Sequence, residues 1–328
     1  MSMTRRLGRL GVDVSALGMG CWAIGGPFWR GETPVGWGKV DDSESTRAIQ
    51  RALDLGITFF DTANVYGAGH SERVLGAALG KRRKTVVIAT KFNGVFDEKT
   101  KQVTGADVTP PGIRSACEAS LRRLGTDYID LLQFHDNEYP ADKALPIRDT
   151  LEALVAEGKI RAYGWSTDYA DRAEVFAGGP HCASIQFQLN VLDDNAAVIA
   201  LCERRGLAGI NRGPLAMGLL TGAYSPDSRP AADDVRGARA PEWMKYFKGG
   251  RPSAEWMARR DAVRQVLESG GRTLAQGALA WIWARSPATI PIPGFRTVKQ
   301  VEENAAALSK GPLSRAELER VETLLDRA

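Results

Sequence analysis

Four residues have types and positions suited to one piece of chemistry. Asp61 closes the apolar run Phe59-Phe60, and Tyr66 follows five residues later, just before Gly67. Lys91 follows the apolar run 86–90, and His135 follows Leu131-Leu132-Gln133-Phe134. A free tyrosine has a pKa near ~10 and is a weak proton donor at neutral pH. A lysine ammonium beside it stabilises the phenolate and is expected to lower that pKa. Asp61 can pair with Lys91 and hold it charged, while His135 can hydrogen-bond a carbonyl oxygen beside the tyrosine. Together the four would polarise a carbonyl and protonate the alkoxide as a hydride arrives. Each alone has an ordinary reading: a turn cap, a solvated lysine, a packed loop tyrosine, a core histidine. Their coincidence at the ends of strand-like runs carries the chemical reading. A lysine acting as a Schiff-base nucleophile is the competing chemistry, but Asp61 beside Lys91 would keep the amine protonated.

Convergence of these groups requires an architecture that gathers strand ends. Short apolar runs occur at 16–22, 57–61, 86–90, 129–134, 160–166, 184–187, 207–212 and 289–292. They do not alternate, as expected of strands buried on both faces. Helical patterns lie between them at 42–55, 71–79, 109–124, 147–157, 196–205, 254–268, 273–285 and 297–307, several stopped by a glycine. Eight strands alternating with helices imply a single α/β domain over 1–328, a (β/α)8 TIM barrel, with a doubly wound open sheet as the alternative. Segments 5–10 and 12–16, split by Gly11, read as an N-terminal β-hairpin, and 314–327 as a closing amphipathic helix. Long loops after the third strand (92–109) and the seventh (222–252) would lie on the C-terminal face, where such barrels keep their sites. Both are expected to cover that site. Trp29, Trp37 and Trp243 in predicted loops either line a pocket there or pack the loops down.

Composition excludes other classes. Lys plus Arg is 43 and Asp plus Glu is 39, a net charge of +4, too small to make nucleic acid the main partner. With 44% apolar and 25% charged residues, the chain is expected to be globular, not disordered. The basic start lacks a following apolar stretch, so no secretory signal is expected, and the most apolar window, 274–284, is too short for a bilayer. Cys21, Cys117, Cys182 and Cys202 have no metal or disulfide spacing and suit a reducing, cytoplasmic setting. His70, His135 and His181 are far apart in sequence, and no metal site is expected. Gly18-Met-Gly20-Cys-Trp-Ala23 fits the dinucleotide fingerprint G-x-G-x-x-A, but Ile24-Gly-Gly-Pro27 follows where that fingerprint needs a helix.

Beyond these physical readings, the chain resembles the aldo-keto reductases from residue 17 to about 308. Asp61-Thr-Ala-Asn-Val-Tyr66-Gly-Ala-Gly-His-Ser71-Glu72, Ala89-Thr-Lys91 and Leu132-Gln-Phe-His135 look like the family's signature segments. The resemblance implies a barrel oxidoreductase that reduces aldehydes or ketones reversibly, with Asp61, Tyr66, Lys91 and His135 catalytic and Tyr66 the proton donor. It implies cofactor contacts from Gly20 and Trp22, from Ser166 and Thr167 in Gly164-Trp-Ser166-Thr167, and from Gln186. Further contacts would come from Arg212, Pro214 and Leu215, where Arg212 replaces a stacking aromatic, and from Gly294, Arg296, Gln300, Glu303 and Asn304. Thr167 stands where an asparagine is usual. NADPH is the expected cofactor, with NADH a weaker alternative. Arg296 and Lys299 would favour the extra phosphate, against Gln300 and Glu303. A family alternative is an NADPH-binding regulatory or sensor subunit with little turnover. The small-molecule carbonyl substrate and the oligomeric state stay open.

Overall fold

The structure is a computed structural model that describes residues 3–327; Met1, Ser2 and Ala328, at the limits of the expected 1–328 domain, lie outside them. Eight parallel strands form its centre: β1 (Met19–Gly20), β2 (Phe59–Asp61), β3 (Val87–Phe92), β4 (Ile129–Phe134), β5 (Ile160–Ser166), β6 (Cys182–Gln188), β7 (Ala208–Arg212) and β8 (Thr289–Pro291). Each pairs with its neighbour in sequence order. The two outer strands then meet, because the Gly18 and Gly20 N–H groups donate to the Pro291 and Pro293 carbonyls at 3.0 Å each. The barrel is therefore closed, and the open-sheet alternative is excluded. The G-x-G spacing belongs to this seam. A Cβ on Gly20 would lie 2.7 Å from the Ile292 carbonyl oxygen. Ala23–Gly25, where the dinucleotide fingerprint needs a helix, is a single 3-10 turn.

Among the described residues ten α-helices surround the strands: α1 (Asp42–Asp54), α2 (His70–Leu79), α3 (Pro110–Leu124), α4 (Leu145–Ala156), α5 (Ala170–Ala177), α6 (Ala196–Arg205), α7 (Ala254–Leu267), α8 (Leu274–Arg285), α9 (Val298–Lys310) and α10 (Arg315–Leu324). Side chains cap several of them: Thr109 accepts from Gly112 N–H, and Thr273 and Ser314 form capping boxes with Gln276 and Glu317. Helix α5 is the one that the sequence pattern does not reveal. It has eight residues and no side-chain N-cap, so packing against the barrel specifies it more than local signals do. Among the described residues no helix is long and apolar enough to cross a membrane.

The N-terminal segment forms the expected hairpin, Thr4–Arg6 against Asp13–Ser15, around a 3-10 turn. Its Leu7 and Val14 are buried with Phe59, Ala89, Leu131, Ala162, Ala208 and Ile290, inside the N-terminal end of the barrel. Arg9 locks the hairpin down by donating to the carbonyls of Ala177 (2.9 Å) and Gly179 (2.8 Å).

The opposite end is built differently. Segment 92–109, expected as a loop, carries an antiparallel hairpin, Gly94–Asp97 with Gln102–Ala106, turned by Asp97, which accepts from Lys99 and Thr100 N–H. That hairpin joins Trp29–Arg30 and Thr33–Pro34 in a second, four-stranded sheet. The Asp97 turn between two short alternating runs is the local signal for it. The segment after β7 is fixed by Arg236, buried and ion-paired with Asp234 at 2.7 Å, with its guanidinium 4.5 Å above the Trp37 ring. Val235 N–H donates to the Gly36 carbonyl at 2.7 Å. The segments after β1 and β7 thus meet across the barrel mouth.

Candidate active site

Because the strands are parallel, their last inward-facing residues share one rim. Asp61 ends β2, Lys91 lies in β3, and His135 follows β4, its N–H held by the Phe92 carbonyl at 3.0 Å. Tyr66 lies in a tight turn after β2 whose end is tied to α2. There the Ser71 hydroxyl donates to the Cys21 carbonyl and bonds the Thr62 hydroxyl, both at 2.8 Å. Gly67, at φ 59, lets this turn pack down, since a Cβ there would meet the Gly25 carbonyl oxygen at 1.8 Å.

The four residues come together. Lys91 Nζ donates to Asp61 Oδ1 at 2.5 Å, to the Thr62 carbonyl at 2.8 Å and to the Tyr66 hydroxyl at 3.2 Å. All three ammonium protons are therefore used. Asp61 Oδ2 accepts from Gln186 Nε2 at 2.7 Å and from Gln133 Nε2 at 3.0 Å. Gln133 was not singled out from the sequence; as a buried polar residue one step before the end of a strand, it carried the same positional signal as Lys91. The His135 ring meets the Tyr66 ring edge-on at 5.9 Å, and Trp22 stacks on Tyr66 at the same centroid distance.

Lys91 is fully buried and Asp61 is 2% exposed, so electrostatics here are strong. Burial alone would lower the Lys91 pKa, but the Asp61 carboxylate and the Tyr66 hydroxyl more than reverse this and raise it above the usual lysine value. Burial holds His135 well below the usual histidine range, helped by the charges of Lys91, Arg212 and Arg30. The imidazole is neutral at pH 7. For Tyr66 the direction differs from the sequence expectation. Burial raises its pKa above 10, and this outweighs the lowering by Lys91. The expected depression considered the charge without the desolvation that comes with placing it there.

The site opens into a cleft of about 1610 Å³ on the C-terminal face. Gly20, Trp22, Ser166, Gln186, Arg212, Pro214, Leu215, Gly294, Arg296 and Gln300 line it, as do Trp37 and Trp243. Thr167, Glu303, Asn304 and Trp29 do not. The Thr167 hydroxyl is spent on the Asn137 carbonyl at 3.1 Å, and the Glu303 carbonyl accepts from Gln276. Asn93, Asp168 and Gln188 also line the cleft, and no local sequence pattern marks them. Residues from both long segments, 92–109 and 222–252, form parts of the wall.

This cleft fits a nicotinamide dinucleotide. It exceeds the volume of a typical single-ligand pocket, roughly 300–1,000 Å³, and runs from Tyr66 and His135 to Arg296 and Gln300. Beside it Ala216 and Met217 have positive φ (47 and 57), strained backbone of the kind kept at ligand clamps. Two features temper the affinity for an extra phosphate at the far end. The Arg296 guanidinium already donates to the Trp37 and Lys39 carbonyls, and Glu44 caps Val298 N–H at the start of α9. Among the described residues no group of three His, Cys, Asp or Glu is arranged to hold a metal ion.

The sequence pattern of the Aldo/keto reductase family matches residues 16–326. The aldo-keto reductase yakc, NADP(+), of Schizosaccharomyces pombe is 31% identical over 99% of this chain and 92% of its own length. Two solved structures superpose over nearly the whole chain. A glycerol dehydrogenase from Gluconobacter oxydans has 31% identity and a TM-score of 0.81, covering 99% of this chain and 95% of its own. The holo form of an aldo-keto reductase from Bacillus halodurans has 27% identity and a TM-score of 0.80, covering 100% and 98%.

Proposed function

The chain belongs to the aldo/keto reductase family, and from that premise we propose that it reduces aldehydes or ketones to alcohols with NADPH, reversibly, using Tyr66 as general acid. The observation that carries this reading is the Tyr66 hydroxyl 3.2 Å from an ammonium that Asp61 holds charged, at the floor of a dinucleotide-sized cleft. The carbonyl oxygen accepts hydrogen bonds from the Tyr66 hydroxyl and the neutral His135 ring. A nicotinamide held in the cleft would supply the hydride for the carbonyl carbon. As the C=O π pair moves onto oxygen, Tyr66 delivers its proton there, and the alcohol leaves. The phenolate left behind is stabilised by Lys91 and regains its proton from solvent. A raised Tyr66 pKa keeps the acid form loaded at neutral pH.

In the same reading Ser166 and Gln186 hold the nicotinamide end. Arg212, Pro214 and Leu215 flank its ring, Gly20 and Trp22 wall the pocket, and Gly294, Arg296 and Gln300 hold the phosphate end. Thr167, Glu303 and Asn304 lie just behind the wall. NADPH is bound in moderate preference to NADH, on the order of 1–3 kcal/mol for charged hydrogen bonds to Arg296. The residues 1–328 act as one barrel unit, and four buried unpaired thiols suit a reducing compartment such as the cytoplasm.

The test is steady-state NADPH oxidation across aromatic, aliphatic, sugar and dicarbonyl substrates. Many turnovers per protein molecule support an enzyme. A single stoichiometric oxidation, with no further consumption, would replace it by a cofactor sensor of the same fold.

A further inference from the structure

At the C-terminal rim of β5, β6 and β7, three side chains close a ring that the proton-donating group does not use. The Arg212 guanidinium is ion-paired with Asp168 and donates to Gln188 Oε1 at 3.0 Å. The other Asp168 oxygen accepts the Gln188 backbone N–H at 2.7 Å. Gln188 Nε2 donates onward to the Tyr246 hydroxyl at 3.1 Å, so the ring is anchored to the segment after β7. Gly213 follows Arg212 at φ 61, and a Cβ there would lie 2.6 Å from Gln188 Oε1. The guanidinium is thus fixed in place and charge-compensated, and all three side chains line the cleft.

Arg212 also stands near the reacting end. It ends β7 and lines the same cleft as Tyr66 and His135. A hydride donor must bring its reacting carbon to about 3–3.5 Å from a carbonyl carbon whose oxygen these two residues hold. A nicotinamide ring bound with its reacting carbon there would have Arg212 beside it in the same cleft. That ring is neutral in the reduced cofactor and carries one positive charge in the oxidised cofactor. A fixed cation beside it favours the reduced form, and a carboxylate held against the cation moderates the bias.

Resting on the function proposed above, we infer that Asp168 and Arg212 act as a charge pair that sets the relative affinity for oxidised and reduced cofactor. Asp168 is a positioning residue in this scheme. It fixes the guanidinium and offsets its charge, so that the cationic product form is retained long enough for the reverse reaction yet still released.

The test is direct binding of NADPH and NADP+ to the purified chain, without substrate. The readout is the ratio of the NADP+ dissociation constant to that of NADPH. Asp168→Asn keeps the shape and exposes the guanidinium charge, so the ratio should rise about tenfold. Arg212→Gln leaves Asp168 uncompensated, and the ratio should fall below that of the unaltered protein. The double variant should return to within about threefold of it, and Asp168→Glu should restore part of the effect. A merely structural loss would weaken both forms by the same factor. That outcome in Asp168→Asn and Arg212→Gln overturns the inference and leaves the reductase reading standing. Failure of the unaltered protein to bind either form removes both. Should Asp168→Asn not fold, the opposite sign expected for Arg212→Gln still decides.

Discussion

The two ends of the barrel interior use the same strands for opposite purposes. Phe59, Ala89 and Leu131 face inward at the N-terminal end and pack on Leu7 and Val14 of the hairpin. Two residues further along the same strands stand Asp61, Lys91 and Gln133, buried just as deeply. The apolar end gains stability from area removed from water. The polar end gains little, because the desolvation of a buried ion pair offsets most of its Coulomb attraction. A two-residue step along β2, β3 and β4 converts a core into a site, because it keeps each side chain pointing inward while moving it to the open mouth.

The largest effect expected from breaking this contrast is at the polar end. Tyr66→Phe removes one hydroxyl and should cost about 10²–10⁴ in kcat, with the urea midpoint shifted little. A loss below tenfold, with hydride transfer shown to limit the rate, would remove Tyr66 from the role.

Next comes the ion pair. Lys91→Met leaves the Asp61 charge buried with only amide partners, and should destabilise the fold by about 3–5 kcal/mol. Adding Asp61→Asn to it should restore most of that stability while turnover stays abolished. Denaturant unfolding beside a rate assay measures both. A double variant no more stable than Lys91→Met would mean that the polar end supports the fold as the apolar end does.

The apolar end should answer in the other currency. Leu7→Ala opens a cavity among buried side chains and should cost about 2–5 kcal/mol of stability. Its kcat, measured well below the melting temperature, should stay within about twofold. A matching fall in kcat would show that the hairpin reaches the site.

The smallest expected effect concerns pH. His135 is held well below its usual value, so the folded protein binds its proton less readily than the unfolded chain. Its contribution to stability is complete above the unfolded value near ~6.5 and is lost as pH falls from there toward the folded value. Tyr66, raised above 10, stays protonated. The kcat/KM for reduction should therefore be flat across neutral pH, with its alkaline limb above about 10. A limb near 6.5 that disappears in His135→Asn would contradict the neutral imidazole.

Much of this molecule was legible in the sequence. Parallel strands buried on both faces appear as unbroken apolar runs, and glycine stops mark the helix ends, so the eight-fold alternation follows from pattern, while the hydrogen bonds from Gly18 and Gly20 decide its closure. Asp61, Tyr66, Lys91 and His135 could be picked out because strand ends in such a barrel share one rim. Helix α5 and the Asp168–Gln188–Arg212 ring were not legible. Their specification lies in contacts between segments far apart in the chain, and Asp168 and Arg212 are 44 positions apart. The sequence by itself determined that Asp61, Tyr66, Lys91 and His135 belong to one rim. Only the tertiary structure decided their balance: Lys91 was identifiable as the neighbour of Tyr66, but the net direction of the Tyr66 shift depends on how completely water is removed. Desolvation is a property of everything packed around a group, and no local pattern of residues encodes it.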